Sequence, residues 1–477
     1  MPLPRKARPA RRSKPEIPPA TVKSTIVPVL ATLWIAGCAV GPDFEVPPEK
    51  MEASFKHAGF TEPPAAGSWW SMFGDAELAR LMKAADENNP GGRAALARYD
   101  QARAALGLSA ADAFPAITGD AYARRQGDSS NSNFSAGTYN DYRAALNLSW
   151  EIDLWGRVRR QIGVAAAQAQ AARYDYQGAI LSLRGEVARA YVSLRFTEAE
   201  IGLLEETATL REKASGLMKS RFEGGASSRI DYERSVTEHQ SVLAELEQLR
   251  SQRTKYENAL AYLTGRNASG FQLASTGRVP RIPGPVAAVP SELLRRRPDL
   301  AAAERRLAAA SEGIGLTIAS YLPRLTLNGS TGVRSLNSSD LFNSGSKLWT
   351  LGPELSVPIF QGGQLLSDRK RAEAVYREAL EQYRDTLLTA VREAEDSLAD
   401  AHHLAKAASA RSTGARSADK AAELTRKRYE RGITDYFEVV DAERTALAEK
   451  RAALSVDLAR ALAATRLIQA LGGGWQR

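Results

Sequence analysis

The chain is written twice, and that limits what it can fold into more than any other feature. Phe114-Pro115-Ala116-Ile117-Thr118 returns as Leu322-Pro323-Arg324-Leu325-Thr326, and Pro90 returns as Pro298, both 208 positions on. Leu148-Ser149-Trp150 returns as Leu355-Ser356-Val357, Arg221-Phe222-Glu223-Gly224-Gly225 as Arg428-Tyr429-Glu430-Arg431-Gly432, and Leu263-Thr264-Gly265 as Ala470-Leu471-Gly472, each 207 positions on. Landmarks at so constant a spacing mark a tandem duplication. The halves cover 90–280 and 298–477, and a joint at 281–297 carries the Pro-rich run that begins at Val279.

Within each half the hydrophobic period switches. Tyr142, Ala144, Leu146, Leu148, Trp150 and Ile152 alternate with Arg143, Asn147, Ser149, Glu151 and Asp153, which is the pattern of a strand with one apolar face. Trp349, Leu351, Pro353, Leu355, Val357 and Ile359 repeat it against Thr350, Gly352, Glu354 and Ser356. Stretches 116–126 and 324–335 alternate more weakly, and polar loops (127–140 and 335–346) join each pair into a hairpin. Strands of about ten residues are long enough to cross a bilayer at a tilt.

Beyond each hairpin the pattern is helical and very long. There is no proline between Arg157 and Val279, and none after Pro358. Val242, Leu246, Leu249, Tyr256, Leu260 and Leu263 form a heptad seam, echoed by Val187, Tyr191, Leu194 and Ile201 and by Leu380, Tyr383, Leu387, Ala394 and Leu398. An unbroken helix from Arg157 to Arg221 would be roughly 100 Å long. Gly224-Gly225 and Gly432 then mark turns between antiparallel helices.

The formal charge of +9 would suggest a nucleic-acid partner if it were spread over the folded part. It is concentrated at the start, where Arg5, Lys6, Arg8, Arg11, Arg12, Lys14 and Lys23 face Glu16 alone. An apolar run from Ile26 to Ala36 follows, too short for a permanent membrane helix, and then Gly37-Cys38. This is the layout of a secretory signal over residues 1–37. Ile35-Ala36-Gly37-Cys38 resembles a bacterial lipobox, which makes Cys38, the single cysteine of the chain, the acylated first residue of the mature protein. By resemblance to bacterial lipoproteins, Ala39 in place of aspartate favours the outer membrane.

After residue 38 no stretch has the 18 or more apolar residues of a membrane helix, so a spanning element would be β. Four strands cannot close on themselves, and an open edge in hydrocarbon costs several kcal/mol for each unsatisfied backbone group. The chain therefore needs copies of itself. Two would give an eight-stranded barrel filled with side chains; three would give twelve strands and a lumen. A periplasmic coiled-coil scaffold without a pore is the alternative reading of the same pattern.

At this point the sequence resembles the outer-membrane efflux lipoproteins of the OprM/NodT type, relatives of the TolC channel. The resemblance rests on Gly37-Cys38-Ala39-Val40-Gly41-Pro42-Asp43-Phe44, on Trp69-Trp70 with Phe73, Asp75 and Leu78, and on the run from Leu148 through Trp155-Gly156-Arg157. Its most specific part is Pro290-Ser291-Glu292-Leu293-Leu294-Arg295-Arg296-Arg297-Pro298-Asp299-Leu300, continuing through Glu304-Arg305-Arg306-Leu307 to Pro323. It implies an α+β membrane protein: a TolC-like homotrimer with a twelve-stranded β-barrel, four strands per chain, and a long α-helical barrel. Residues 38–89 would then form the lipidated segment and the start of an equatorial belt. The implied function is the exit duct of a tripartite efflux pump, working with a periplasmic adaptor and an inner-membrane transporter of the resistance-nodulation-division (RND) type. The channel of a one-step (type I) protein secretion system is the related alternative.

No catalytic constellation is present: the histidines are His57, His239, His402 and His403, with no HExxH and no phosphate-binding glycine loop. Neither an enzyme nor a cofactor is expected, apart from lipid on Cys38. Beside the second glycine turn, Asp435, Glu438 and Asp441 fall three apart, a spacing that suits a solvated acidic face as well as a site. The resemblance aligns Tyr429, Glu438 and Asp441 with the gate tyrosine and acidic ring of TolC-type channels, and Asp231 with a first-half gate aspartate. Thr434 stands where the TolC channel has arginine.

Overall fold

The computed structural model describes residues 39–48, 55–56, 68–127, 129, 137–284 and 296–473. Cys38, the signal and much of the inter-repeat joint lie outside these residues. The duplication is exact at the level of elements. In the first half α2 (Pro90–Ala111), β1 (Ala116–Gly127), β2 (Thr138–Ile152), α3 (Arg157–Glu223) and α4 (Arg229–Leu263) follow one another. In the second, α5 (Pro298–Ala319), β3 (Arg324–Ser335), β4 (Lys347–Ser356), α6 (Gln364–Glu430) and α7 (Tyr436–Ala470) repeat that order. Corresponding helices have equal lengths of 22, 67 and 35 residues. A short 3-10 turn, Trp69–Phe73, and helix α1, Ala76–Asn88, precede the first half.

The strands form one antiparallel sheet in the order β1-β2-β3-β4. Its register sorts the faces. The rungs Ile117–Leu148–Gly329–Leu351 and Leu325–Leu355 lie on one side, and Thr118–Asn147–Ser330–Thr350 and Glu151–Thr326–Glu354 on the other. Ile117, Trp349, Leu351 and Leu355 are exposed in the single chain, as lipid-facing side chains must be. Across the polar face Asp141 accepts hydrogen bonds from Arg334 at 2.8 and 3.0 Å and from Tyr122 at 3.1 Å. β1 and β4 are left as edges, and three copies close them into a twelve-stranded barrel. The second apolar alternation outruns its strand: β4 stops at Ser356, and Val357-Pro358-Ile359-Phe360 leads toward α6, since Pro358 has no N–H for the ladder.

The helices make columns. Toward the tips α3 packs on α4 and α7, and α7 on α6; toward the sheet α3 packs on α2 and α5, and α5 on α6. Where the two sets meet, α4 stacks end to end on α2 and α7 on α5. The Asn89 amide donates to the Leu263 carbonyl at 2.9 Å, and the Arg297 guanidinium to the Ala470 carbonyl at 3.1 Å. These are the places the repeated Leu263-Thr264-Gly265 and Ala470-Leu471-Gly472 landmarks mark. Gly265 and Gly472 both have positive φ, and a Cβ would lie 2.4 Å from the Asn88 carbonyl oxygen or 2.9 Å from that of Arg296. Close end-to-end stacking is thus what glycine provides.

The main core wraps this junction. Trp69, Phe73, Leu78, Leu81 and Met82 are buried against Val187, Tyr191 and Leu194 of α3, Leu260 of α4 and Ile468 of α7. A polar thread runs through it: Asp75 caps α1, the Tyr191 hydroxyl donates to its carboxylate at 2.7 Å, and Arg195, 1% exposed, donates to Tyr191 at 3.0 Å and to Glu198 at 2.7 Å. Burial raises the Tyr191 hydroxyl well above the usual phenol range, so it stays a donor to Asp75.

Candidate functional site at the helical tips

The tips lie furthest from the sheet, where the long helices reverse. In the first, the Ala226 N–H returns to the Arg221 carbonyl at 2.8 Å, and Gly225 supplies the left-handed residue at φ +71. Ser228 then caps α4: its hydroxyl accepts from the Asp231 N–H at 3.1 Å and donates to the Asp231 carboxylate at 2.7 Å. In the second, Ile433 N–H returns to the Arg428 carbonyl at 3.0 Å around Gly432 at φ +70. Asp435 caps α7 through the Glu438 N–H at 3.0 Å, and the Thr434 hydroxyl donates to the Glu438 carboxylate.

Asp231 and Glu438 are thus repeat equivalents: the backbone N–H of each is capped, by Ser228 or Asp435, and the carboxylate of each accepts from a hydroxyl of the turn before it, Ser228 or Thr434. Glu438 and Asp441 are exposed on α7 and Asp231 is half-buried. Asp435, the first of the three evenly spaced acids, is a cap whose carboxylate is turned to its own helix.

Tyr429 is seated differently. It is half-buried beside Met218, Tyr436, Val439 and Val440, and its ring centroid lies 5.8 Å from that of Tyr436. The Arg221 guanidinium donates to its hydroxyl and lies 5.1 Å from the ring centroid. Burial raises the phenol above its ordinary range, Arg221 opposes the shift, and the charge of Asp231 adds to it. Tyr429 is therefore a neutral hydroxyl across physiological pH, and its contact with Arg221 carries no pH switch. The structure brings Tyr429, Arg221 and Asp231 into one electrostatic neighbourhood at the meeting of the two tips.

One turn above, Glu443 on α7 accepts from Arg426 of α6 at 3.0 and 2.6 Å and pairs with Arg211 of α3 at 3.3 Å. Further up, Arg451 of α7 reaches Glu200 of α3 at 2.8 Å and Glu245 of α4 at 2.5 Å. Sequence reasoning missed Arg221, Glu443 and Arg451. Arg221 does stand in a repeated landmark, which was its only signal; the other pairings join residues whose separation in the chain has no bearing on distance. His402 and His403 are exposed, with ring centroids 5.0 Å apart and planes at 85°. Among the described residues there is no cluster of three or more metal-ligating side chains, and no helix long and apolar enough to cross a membrane.

Comparison with known proteins agrees with this anatomy. The family model for outer membrane efflux proteins matches twice, over residues 81–266 and 289–473, once for each half. The outer membrane protein OprJ of Pseudomonas aeruginosa is 33% identical, the match covering 94% of this chain and 95% of that protein. The toluene efflux pump outer membrane protein TtgI of Pseudomonas putida is 30% identical over 95% of this chain and 99% of its own, and the cation efflux system protein CusC of Escherichia coli is 27% identical over the same shares. Among solved structures, the outer-membrane channel OprN superposes with a TM-score of 0.85 at 28% identity, covering 92% of this chain and all of that one. The open state of the Neisseria gonorrhoeae MtrE outer membrane channel gives 0.82, also at 28% identity, over 92% and 99%. With both halves matched and the tips, columns and four-stranded sheet in place, this chain belongs to the outer membrane efflux protein family and is an outer-membrane efflux channel.

Proposed function

We propose that this channel is the passive exit duct of a tripartite pump for small molecules, in which a periplasmic adaptor and an inner-membrane RND transporter supply coupling and energy. The relatives' names span toluene, solvent and cation efflux, and one is a pyoverdine export protein. That range suits a duct that does not itself select cargo. Acyl chains on Cys38 hold it to the outer membrane alongside the barrel, and the tips form its closable periplasmic aperture. The observation that carries the aperture reading is the pairing of exposed carboxylates on Glu438 and Asp441 with the Arg221–Tyr429 contact between the two halves. Three copies would set the carboxylates in two rings, a cation-attracting constriction.

The test is single-channel conductance in planar bilayers. Mg²⁺ added to the periplasmic side should lower conductance, and Glu438→Gln with Asp441→Asn should remove most of that block and weaken cation selectivity. If the double variant keeps the parent's block and selectivity, the two carboxylates do not line the aperture. Acylation is checked separately: Cys38→Ser should abolish metabolic labelling with palmitate, and undiminished labelling would refute the anchor.

A further inference from the structure

The first described residues do not trail along the surface; they are seated. The Val40 N–H donates to the Trp155 carbonyl at 3.1 Å, at the elbow where β2 hands over to α3. Arg160, one turn into α3, gathers the rest. Its guanidinium donates to the Val40 and Gly41 carbonyls, each at 3.2 Å, to Asp43 at 3.1 Å, and to Glu312 of α5 at 3.0 Å. The Arg160 side chain is 5% exposed, so a full positive charge is committed here and is matched by two carboxylates and two carbonyls.

Steric details agree. Gly41 has φ +101, and a Cβ there would meet the Gly315 Cα at 2.5 Å; a Cβ on Gly156 would meet Ala39 at 2.6 Å, and one on Gly163 would meet the Glu312 carboxyl at 3.0 Å. Phe44 continues the seat over Ala167, Ala308 and Ala309, with Arg305 5.6 Å from its ring.

The duplication supplies an internal control. Within the chain α3 packs on α2 and α5, and α5 on α6, so a trimer that continues this repeat order would set the counterpart of the α3–α5 groove between α6 and the α2 of the next copy. There Arg160 is replaced by Ser367, Glu312 by Ala104, Gly163 by Lys370, and Ala308 and Ala309 by Asp100 and Gln101. The backbone could offer six such grooves per trimer; the side chains furnish only the three that lie within a chain.

We propose that Arg160 is a positioning residue for the mature N-terminus. With Glu312 it forms a seat for residues 40–43 within each chain, so that the polypeptide leaves the duct for the membrane at the β2–α3 elbow rather than at the subunit boundary. The seat holds whether or not Cys38 is acylated; that lipid departs from this point rests on the Cys38 reading.

The experiment uses the full-length trimer carrying Glu45→Cys, an exposed position just beyond the seat, labelled with a thiol-specific nitroxide. One label per chain is expected, because an acylated Cys38 has no free thiol; two labels would refute the lipid and leave the seat untouched. The spectrum should be that of an immobilised label. Arg160→Ala should convert most of it to a mobile one, Gly41→Ala should do the same with no helical residue replaced, and the two together should add little, because both release one contact. Ser367→Ala should change nothing. Should Arg160→Ala lose the trimer, Gly41→Ala carries the test alone. A label that stays immobilised in Gly41→Ala, or is loosened equally by Ser367→Ala, overturns the proposal.

Discussion

The two halves share a backbone and differ in how they solve the same problems, most clearly where one helix column stacks on the next. In the first half one residue does the whole task. Asn89 has both a donor and an acceptor, so its amide N–H₂ satisfies Leu263 at the end of α4 while its oxygen accepts from the Gly92 N–H at the start of α2, at 3.0 Å. In the second half Arg297 can only donate. It takes the Ala470 carbonyl, and the start of α5 is left to Asp299, whose carboxylate accepts from Leu300 N–H at 2.9 Å and pairs with Arg297 at 2.6 Å. The exchange adds a third helix, because Arg297 also reaches Glu393 of α6 at 2.8 Å. A duplicated backbone thus keeps its geometry while arginine, with its longer reach, recruits neighbours that asparagine could not.

The largest effect expected from this difference is on trimer stability, read as the denaturant midpoint of the detergent-solubilised trimer. Arg297→Ala strips a charged donor from one backbone carbonyl and two carboxylates and should cost about 3 kcal/mol. Asn89→Ala loses one cap and one neutral bond and should cost about 1–2 kcal/mol. Arg297→Asn, which transplants the first solution into the second site, should fall between them. Equal costs for Arg297→Ala and Asn89→Ala would mean that the link to α6 contributes nothing.

The same comparison shows what the sequence could and could not disclose. The offset of 207 to 208 residues, the alternation at Tyr142–Ile152 and the heptads at Val242–Leu263 are local or self-similar signals. They led to elements whose ends differ from expectation by only a few residues. The rest was not legible because a single sequence contains no distances. Tyr429 could be singled out, but its partner Arg221 is 208 residues away; Arg160 and Glu312 look like two ordinary charged residues on two helices. Capping was legible only in outline. Asp435 and Glu438 read as a pair of acids, and the turn around Gly432 assigns the first to the helix and leaves the second exposed.

A middle-sized effect should come from the tips. Phe222 is the repeat equivalent of Tyr429; it stacks on Tyr232 with centroids 6.1 Å apart and planes at 3°, without a hydroxyl to offer Arg221. Tyr429→Phe makes the second tip resemble the first. The lost hydrogen bond is worth about 1 kcal/mol, so the aperture should open several-fold more often in bilayer recordings, with ion selectivity unchanged. Because the phenol stays neutral, the parent's opening frequency should also be flat from pH 6 to pH 9 as far as this contact governs it. A selectivity change in Tyr429→Phe would break the division between a hydroxyl that latches and carboxylates that select.

The smallest effect tests whether the first tip shares the aperture at all. Where the second half has Asp441 the first has Arg234, half-buried, with its guanidinium 4.9 Å from the ring centroid of Phe437 on α7. If repeat-equivalent positions face the same lumen, each chain sets one cation against the carboxylates of Asp231, Glu438 and Asp441, and the attraction for divalent ions is partly cancelled. Arg234→Gln removes that cation and keeps a side chain of similar length. Glu438 and Asp441, the carboxylates it opposes, are exposed and screened, so a single charge acting on them is worth about 0.2–1 kcal/mol and the periplasmic Mg²⁺ concentration that halves conductance should fall by roughly 1.4- to 5-fold. The shift should shrink as salt is raised, since the interaction is screened. It should vanish in the Glu438→Gln, Asp441→Asn background, where there is no ring left to strengthen. An Mg²⁺ block unaltered by Arg234→Gln in the parent would place the first tip outside the constriction and leave selection to α7 alone.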